Sequence, residues 1–414
     1  MRSFLYKHVD CLGAFFIGSY LTWYCMPFFR TLLGSITYSI FFLSLAFSGA
    51  FLCIINKPIG LSLSRNKTMI PIFTYVMVMT LLAVLEIGNA GNYIRISVVF
   101  CLMVFFEFAL DGSPYLKSML YYVIFLFFVT YSTSLFGLIT NPMAARLLTA
   151  SLTDENIRTY YALRNIGDIG FIQSILLFSP FLIYNVMTGK YVKISFCLWC
   201  MLFILAISAS FTIAVAVFLL FSSITAAVYV KNIMIKIMLI FSPIVFFMID
   251  YSWLFSALSQ MISNESISEK LSLLSDSSLW VKSDVGERLR RYSMSLTTFI
   301  ENPISGVGPF YFLSDKNIGN HSAILDDLAR FGIFALGLFI WLIRSYYEDV
   351  MTKWAGFFDK KILIIFICNY IAFLLLNPGF RYAFESVFVL LLVPHIPILY
   401  KKKSCQSFCY YKGF

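Results

Sequence analysis

Apolar runs of membrane-spanning length alternate with short polar connections along almost the whole chain. Runs of roughly 17–25 residues cross a hydrocarbon core as helices, and here they fall at 11–29, 32–55, 69–87, 94–110, 118–139, 171–187, 194–210, 212–230, 233–255, 323–343, 362–376 and 384–400. The pattern predicts an all-α polytopic membrane protein of about twelve transmembrane helices, one integral membrane domain over 1–414. The stretch 194–230 is nearly uninterrupted, and its division into two helices rests on length alone. The first run is flanked by Arg2 and Lys7 like a signal peptide, but it is long and lacks a small-residue cleavage site, so it is read as a retained helix.

Two polar loops interrupt this alternation, at 140–170 and 256–322. The first holds Arg146, Asp154, Glu155, Arg158, Arg164 and Asp168, and its core, Thr153-Asp-Glu-Asn-Ile-Arg158, reads as a capped helix start. The second opens on the solvated-loop composition of Ser263–Lys270. Asp284 with Glu287 three residues on has the form of a capping box, and Asn302-Pro303 stops the helix begun there, which predicts a short surface helix over 285–300. On that helix Arg288, Arg291, Tyr292 and Ser295 recur at spacings of three and four and share a face. Gly306 and Gly308 permit a tight turn in which backbone amides can approach a ligand closely.

Composition agrees with the pattern: 60% of the 414 residues are hydrophobic and only 13% charged, against about 25% charged in soluble domains. Lysine and arginine excess on alternate sides of the spans puts both termini in the cytoplasm and the two long loops outside. Three outer connections carry one basic residue each, Arg30, Arg95 and Arg381, so the outer charge is concentrated in the two loops. The net charge of +10 is accounted for by cytoplasmic flanks that orient the helices, which removes the case for nucleic-acid binding. None of the nine cysteines lies in the long loops, so no disulfide framework is implied. Cys197-Leu-Trp-Cys200 sits in an apolar helix with no charge to form a thiolate. No internal repeat appears, in contrast to transporters built from matching halves.

Candidate chemistry concentrates in the second loop. Arg288 and Arg291 offer two planar donor forks suited to phosphate oxygens; pairing with Glu287 and Asp284, or with anionic lipid headgroups, would account for them equally. His321, one of three histidines, is placed as a general base, or as a polar residue at a helix end. His8 lies in the N-terminal tail and His395 beside Pro394 in the last run. No metal is expected, since Asp326, five residues beyond His321, falls off its face, and no phosphate-cradling Walker loop exists. Glu86, Glu107, Asp111 and Asp250 fall near predicted helix ends, where charge costs little. Tyr160, Tyr161, Trp280, Tyr292, Phe310 and Tyr311 suit sugar stacking, and equally the aromatic belt of a membrane interface.

Gly286-Glu-Arg-Leu-Arg-Arg-Tyr292 with Leu296 and Phe299, then Asn302-Pro-Ile-Ser-Gly-Val-Gly308, then His321-Ser-Ala-Ile-Leu325 with Phe331-Gly-Ile333, resembles the O-antigen polymerase and ligase superfamily. The resemblance covers about an eighth of the chain, and its parts occur in order within one loop. It departs at Ser208-Ala-Ser-Phe211, where the family often ends in Arg; Arg158 or Arg164 would take over that phosphate-binding role. The resemblance implies a GT-C-like glycosyltransferase of the bacterial inner membrane that polymerises undecaprenyl-diphosphate-linked repeat units at the periplasmic face. His321 would be the catalytic base, Arg288, Arg291, Arg158 and Arg164 the diphosphate-binding residues, and Asn302, Pro303, Gly306 and Gly308 the loop-shaping residues. It implies no cofactor, since the lipid diphosphate is itself the activated donor. Its partners would be lipid-linked oligosaccharide as donor and acceptor, membrane lipids and a chain-length regulator protein. A ligase acting on lipid A core and a flippase of lipid-linked oligosaccharide are the alternatives.

Overall fold

The computed structural model describes residues 2–23, 26–33, 35–55, 105–110, 115–141, 144–149, 154–208, 212–248, 284–308, 318–377 and 387–400, with a few single positions between them. Every element of regular structure among these residues is helical: α1 Arg2–Trp23, α2 Pro27–Leu33, α3 Ser35–Ile54, α4 Leu116–Thr140, α5 Ala144–Thr149, α6 Glu155–Leu163, α7 Ile169–Leu176, α8 Ser179–Met187, α9 Val192–Ser208, α10 Thr212–Tyr229, α11 Ile233–Met248, α12 Asp284–Glu301, α13 Ala323–Phe331, α14 Ile333–Lys353 and α15 Lys360–Leu376. The chain then winds through a π-helical turn, Val387–Leu392, into a 3-10 helix, Val393–Tyr400. The described residues form an all-α fold. Among the described residues two helical segments are long and apolar enough to cross a membrane, Leu116–Thr140 and Ile169–Met187, the second being α7 and α8 in succession.

Several boundaries move from their predicted places. The first apolar run starts a turn or more early, as α1 from Arg2, and its end belongs to the short helix α2. The long run 194–230 does divide, into α9 and α10. The run expected as one span over 323–343 is two helices, broken at Gly332, whose φ of 61° no helix accommodates. The last run is not α-helical, because Pro394 and Pro397 supply no backbone N–H. The carbonyls thereby deprived of donors are met from α14 and its C-cap: the Tyr346 hydroxyl donates to Val389 O at 2.9 Å and Trp354 Nε1–H to Val393 O at 3.1 Å. An apolar interior gives backbone carbonyls no other partner.

α1 and α3 cross closely on small residues, Gly13 and Ala14 against Ala46, Gly49, Ala50 and Cys53, so the backbones approach to van der Waals contact. α4 packs on α1, α9 and the terminal 3-10 helix, while α10 lies against α8, α11 and α15. An aromatic centre joins α8 to α15, with the Phe181 ring 5.0 Å from Trp354, 5.1 Å from Phe366 and 5.3 Å from Phe358.

One expectation about charge is overturned. Glu107 is expected at a helix end where its charge costs little, yet it is 4% exposed and enclosed by basic groups. His395 Nε2 lies 2.7 Å and Lys353 Nζ 3.1 Å from its carboxylate, and Lys353 also reaches Asp349 at 3.1 Å. Burial without partners would be prohibitive, so tertiary pairing supplies what depth alone does not. Glu86, Asp111, Asp250, Trp280, Phe310, Tyr311, the Phe211 position, most of 69–104, residues 269–283 and the tail beyond Tyr400 lie outside the described residues.

Candidate functional site

α12 carries the sequence motif, and its buried and exposed sides differ. Its inward face is polar: Ser295 and Thr298 are buried and Arg291 and Tyr292 half-buried. Its exposed side is mixed: Leu289, Leu296 and Ile300, with Leu289 61% and Ile300 66% exposed, form an apolar stripe that Ile304 continues, and Arg290, Thr297 and Glu301 are exposed beside it. The apolar stripe suits hydrocarbon and the polar residues beside it suit water or headgroups, the arrangement of an interfacial helix. The exposed Ile333 and Phe334 open α14 beyond it.

The helix, expected over 285–300, runs Asp284–Glu301. The Glu287 carboxylate is turned forward, bidentate to Arg290 with both contacts at 2.8 Å and to Arg291 Nε at 2.8 Å. Hydrogen bonds from these two arginines hold the Glu287 carboxyl down to about 2. Of the alternatives open for Arg291, pairing with Glu287 is thus the one the fold contains. Arg288 instead has its guanidinium at the Tyr292 hydroxyl, which in turn donates to Leu376 O at 2.7 Å.

The segment 318–322 lies across α12. Gly319 presses on its backbone so closely that a Cβ would overlap the Arg291 carbonyl, and Gly319 N–H donates to Ser295 Oγ at 2.9 Å. That contact is what brings His321 to Arg291: the ring Nδ1 lies 3.4 Å from an Arg291 terminal nitrogen and 2.9 Å from Asn320 O. The carbonyl can only accept, so the shorter contact assigns the proton to Nδ1, and Nε2 keeps the lone pair. The Arg291 contact is then proximity of two donors, not a hydrogen bond. Burial pushes the imidazole below the ordinary histidine value; the bond to Asn320 opposes this, the charges of Arg291 and Arg288 reinforce it, and Asp326 opposes it. The ring is neutral at pH 7, the state a base requires.

Asn302 ends α12, and residues 303–307 form turns; Gly306 within them has φ 64° and Gly308 just after them φ 70°. The close approach these glycines make is to the chain itself. Gly306 N–H donates to Asn302 O at 3.0 Å, Val307 N–H to Ala329 O at 3.0 Å and Gly308 N–H to Arg330 O at 2.8 Å, and a Cβ on Gly306 would overlap the Arg330 carbonyl. The turn therefore clamps the C-terminal end of α13 to the end of α12, and its amides are engaged within the fold. Pro303 O accepts from Ile333 N–H at 2.9 Å, which adds the start of α14 to the same clamp.

Arg158 and Arg164 lie on and just after α6, which packs on α2 and α5. Asp154 caps that helix, accepting from Asn156 N–H at 2.8 Å, and the Arg164 guanidinium sits 4.1 Å over the Tyr160 ring. The fold thus brings together Arg288, Arg291 and His321, with Asn302, Pro303, Gly306 and Gly308 shaping the adjoining turn.

Gly319 and Arg330 are not singled out from the sequence, which offers Asp326 as a residue off the histidine's face and, with Asp327, as the next candidate base after His321. The available signal is their ordering: a glycine two before the histidine and a carboxylate four after Ser322, the position that meets first-turn amides. No protein-family model matches this chain, and no curated protein matches it.

Proposed function

We propose that this protein is a membrane-embedded glycosyltransferase of about twelve spans with cytoplasmic termini, GT-C-like in architecture, polymerising undecaprenyl-diphosphate-linked repeat units at the outer face of the inner membrane. The observation that carries the reading is the meeting of His321, neutral with Nε2 available, with Arg288 and Arg291 on a helix that also bears an exposed apolar stripe. A lipid diphosphate has those two characters: a polyprenyl chain that stays in hydrocarbon and an anion at its surface.

In the proposed step an acceptor-sugar hydroxyl oxygen attacks the anomeric carbon of the donor glycan. The bond from that carbon to the diphosphate oxygen breaks, and the lipid diphosphate leaves with the electron pair. Nε2 of His321 takes the hydroxyl proton. Arg288 balances the charge that develops on the leaving group, a stabilisation strongest where water is scarce. Arg291 is shared with Glu287, so it contributes less net charge and chiefly keeps His321 neutral.

The test is elongation by the purified protein in vesicles holding lipid-linked repeat units and no ion gradient. Lengthening of the glycan supports the reading; transbilayer movement without lengthening marks a flippase and overturns it. In cells, deletion that leaves a single repeat on lipid A core supports polymerase, while loss of every repeat from core identifies the ligase.

A further inference from the structure

His321 is held by its neighbours in sequence more than by its own ring, and both neighbours are tied to one carboxylate. Asp326, 2% exposed in the first turn of α13, accepts Asn320 N–H at 3.0 Å on Oδ1 and Ser322 N–H at 3.2 Å on Oδ2. Oδ1 also accepts the Ser295 hydroxyl of α12 at 2.7 Å, and that serine oxygen receives Gly319 N–H. Asn320 is left in the left-handed region, φ 58°, which a non-glycine residue adopts at some cost. Its side-chain Oδ1 accepts from Arg330 at 2.7 Å, and Arg330 is itself only 7% exposed.

The left-handed turn at Asn320 directs that residue's carbonyl at His321 Nδ1, and the carbonyl is what selects the tautomer. Asp326 secures the turn from both sides, so it fixes which nitrogen of a residue it does not touch carries the proton.

We propose that Asp326 is the positioning residue of the site: its carboxylate locks the Asn320–Ser322 turn and thereby presents His321 with Nδ1 protonated and Nε2 open. It is not a reserve base, because both its oxygens are engaged by donors of the fold. The kinetic consequence rests on the reading of His321 as the proton acceptor; the tautomer does not.

The experiment uses the full-length protein in nanodiscs with 15N-labelled histidine. Only three histidines are present, and the resonances lost in His321→Gln assign the ring. Wild type is expected to show the Nδ1–H tautomer. Asp326→Asn keeps the shape but turns one acceptor oxygen into a donor facing a backbone N–H, and should convert the signal to the Nε2–H form or a mixture. Turnover should fall about 100-fold with KM little changed, the cost of a small misplacement of a reacting group. Ser322→Ala is the folding control: it removes the α13 cap at Leu325 N–H, leaves all three donors on Asp326, and should lower thermal stability while keeping tautomer and turnover.

If Asp326→Asn retains the Nδ1–H tautomer, or if Ser322→Ala scrambles it equally, the positioning role is wrong. If wild type elongates nothing while Asp326→Asn still switches the tautomer, the positioning role stands and the enzymatic reading fails.

Discussion

Among single residues, Arg288 and Arg290 make the sharpest contrast, two helix positions apart with different duties. Arg290 is exposed and bidentate to Glu287, an arrangement that contributes little at a wet surface, so Arg290→Gln should leave elongation near wild type. Arg288→Lys keeps the charge but loses the planar fork, and should cost about 1.5–3 kcal/mol of transition-state stabilisation, read as a fall in kcat/KM with normal membrane insertion. Equal activity of the lysine variant would reduce Arg288 to an interfacial anchor. His321 gives a signed pH prediction. Its folded value is lowered, so the neutral base persists below the ordinary histidine range, and activity should be lost only as pH falls through that lowered value. Arg291→Gln removes a charge that depresses it, so the acid limb of the pH–rate profile should move to higher pH; a limb that stays put would separate Arg291 from the base.

Between elements, the clamp joining α12, α13 and α14 depends on glycines that are not equivalent. Gly306 combines a positive φ with a backbone carbonyl where its Cβ would stand, whereas around Gly308 there is open space. Gly308→Ala should therefore carry only the left-handed cost, about 1–2 kcal/mol, and Gly306→Ala distinctly more, measured as the loss of thermal stability of the detergent-solubilised protein. Equal losses would show that the turn rearranges freely. The exposed apolar stripe of α12 yields a second prediction of this kind. With its apolar stripe against hydrocarbon, the fluorescence of a Leu296→Trp variant should be quenched by brominated lipids in reconstituted vesicles; quenching by aqueous acrylamide instead would put that face in water.

Across the molecule, α14 runs about 30 Å at 1.5 Å per residue from the clamp at Gly332 to the ionic cluster at Lys353. The two polar assemblies therefore occupy opposite ends of one helix. A reporter fused after Ser322 is expected outside and one after Lys403 inside, and the reverse at either site would invalidate the orientation. Glu107→Ala should destabilise the fold by about 3–5 kcal/mol, because it strands the buried basic partners of that carboxylate, and its effect should appear in stability with no change in the acid limb of His321.

Local pattern alone carried a definite part of this protein. Hydrocarbon-length apolar runs made the chain all-α, the spacing of Arg288, Arg291, Tyr292 and Ser295 put them on one helical face, and Asn302-Pro303 ended that helix because proline cannot extend it. Side-chain period and backbone restriction act over a few residues, so they are legible without the fold. Which partner each polar group takes was settled by tertiary packing instead. Glu287 was equally placed to cap α12 or to bind its arginines; Glu107 looked inexpensive at a helix end until His395, 288 residues away, closed on it; Asp326 looked misplaced on the helical wheel until the 318–322 segment folded back over Ser295. A charge in a dry interior must find an opposite charge or a donor, and which one lies within about 3 Å is set by how distant segments pack, a property no local spacing contains.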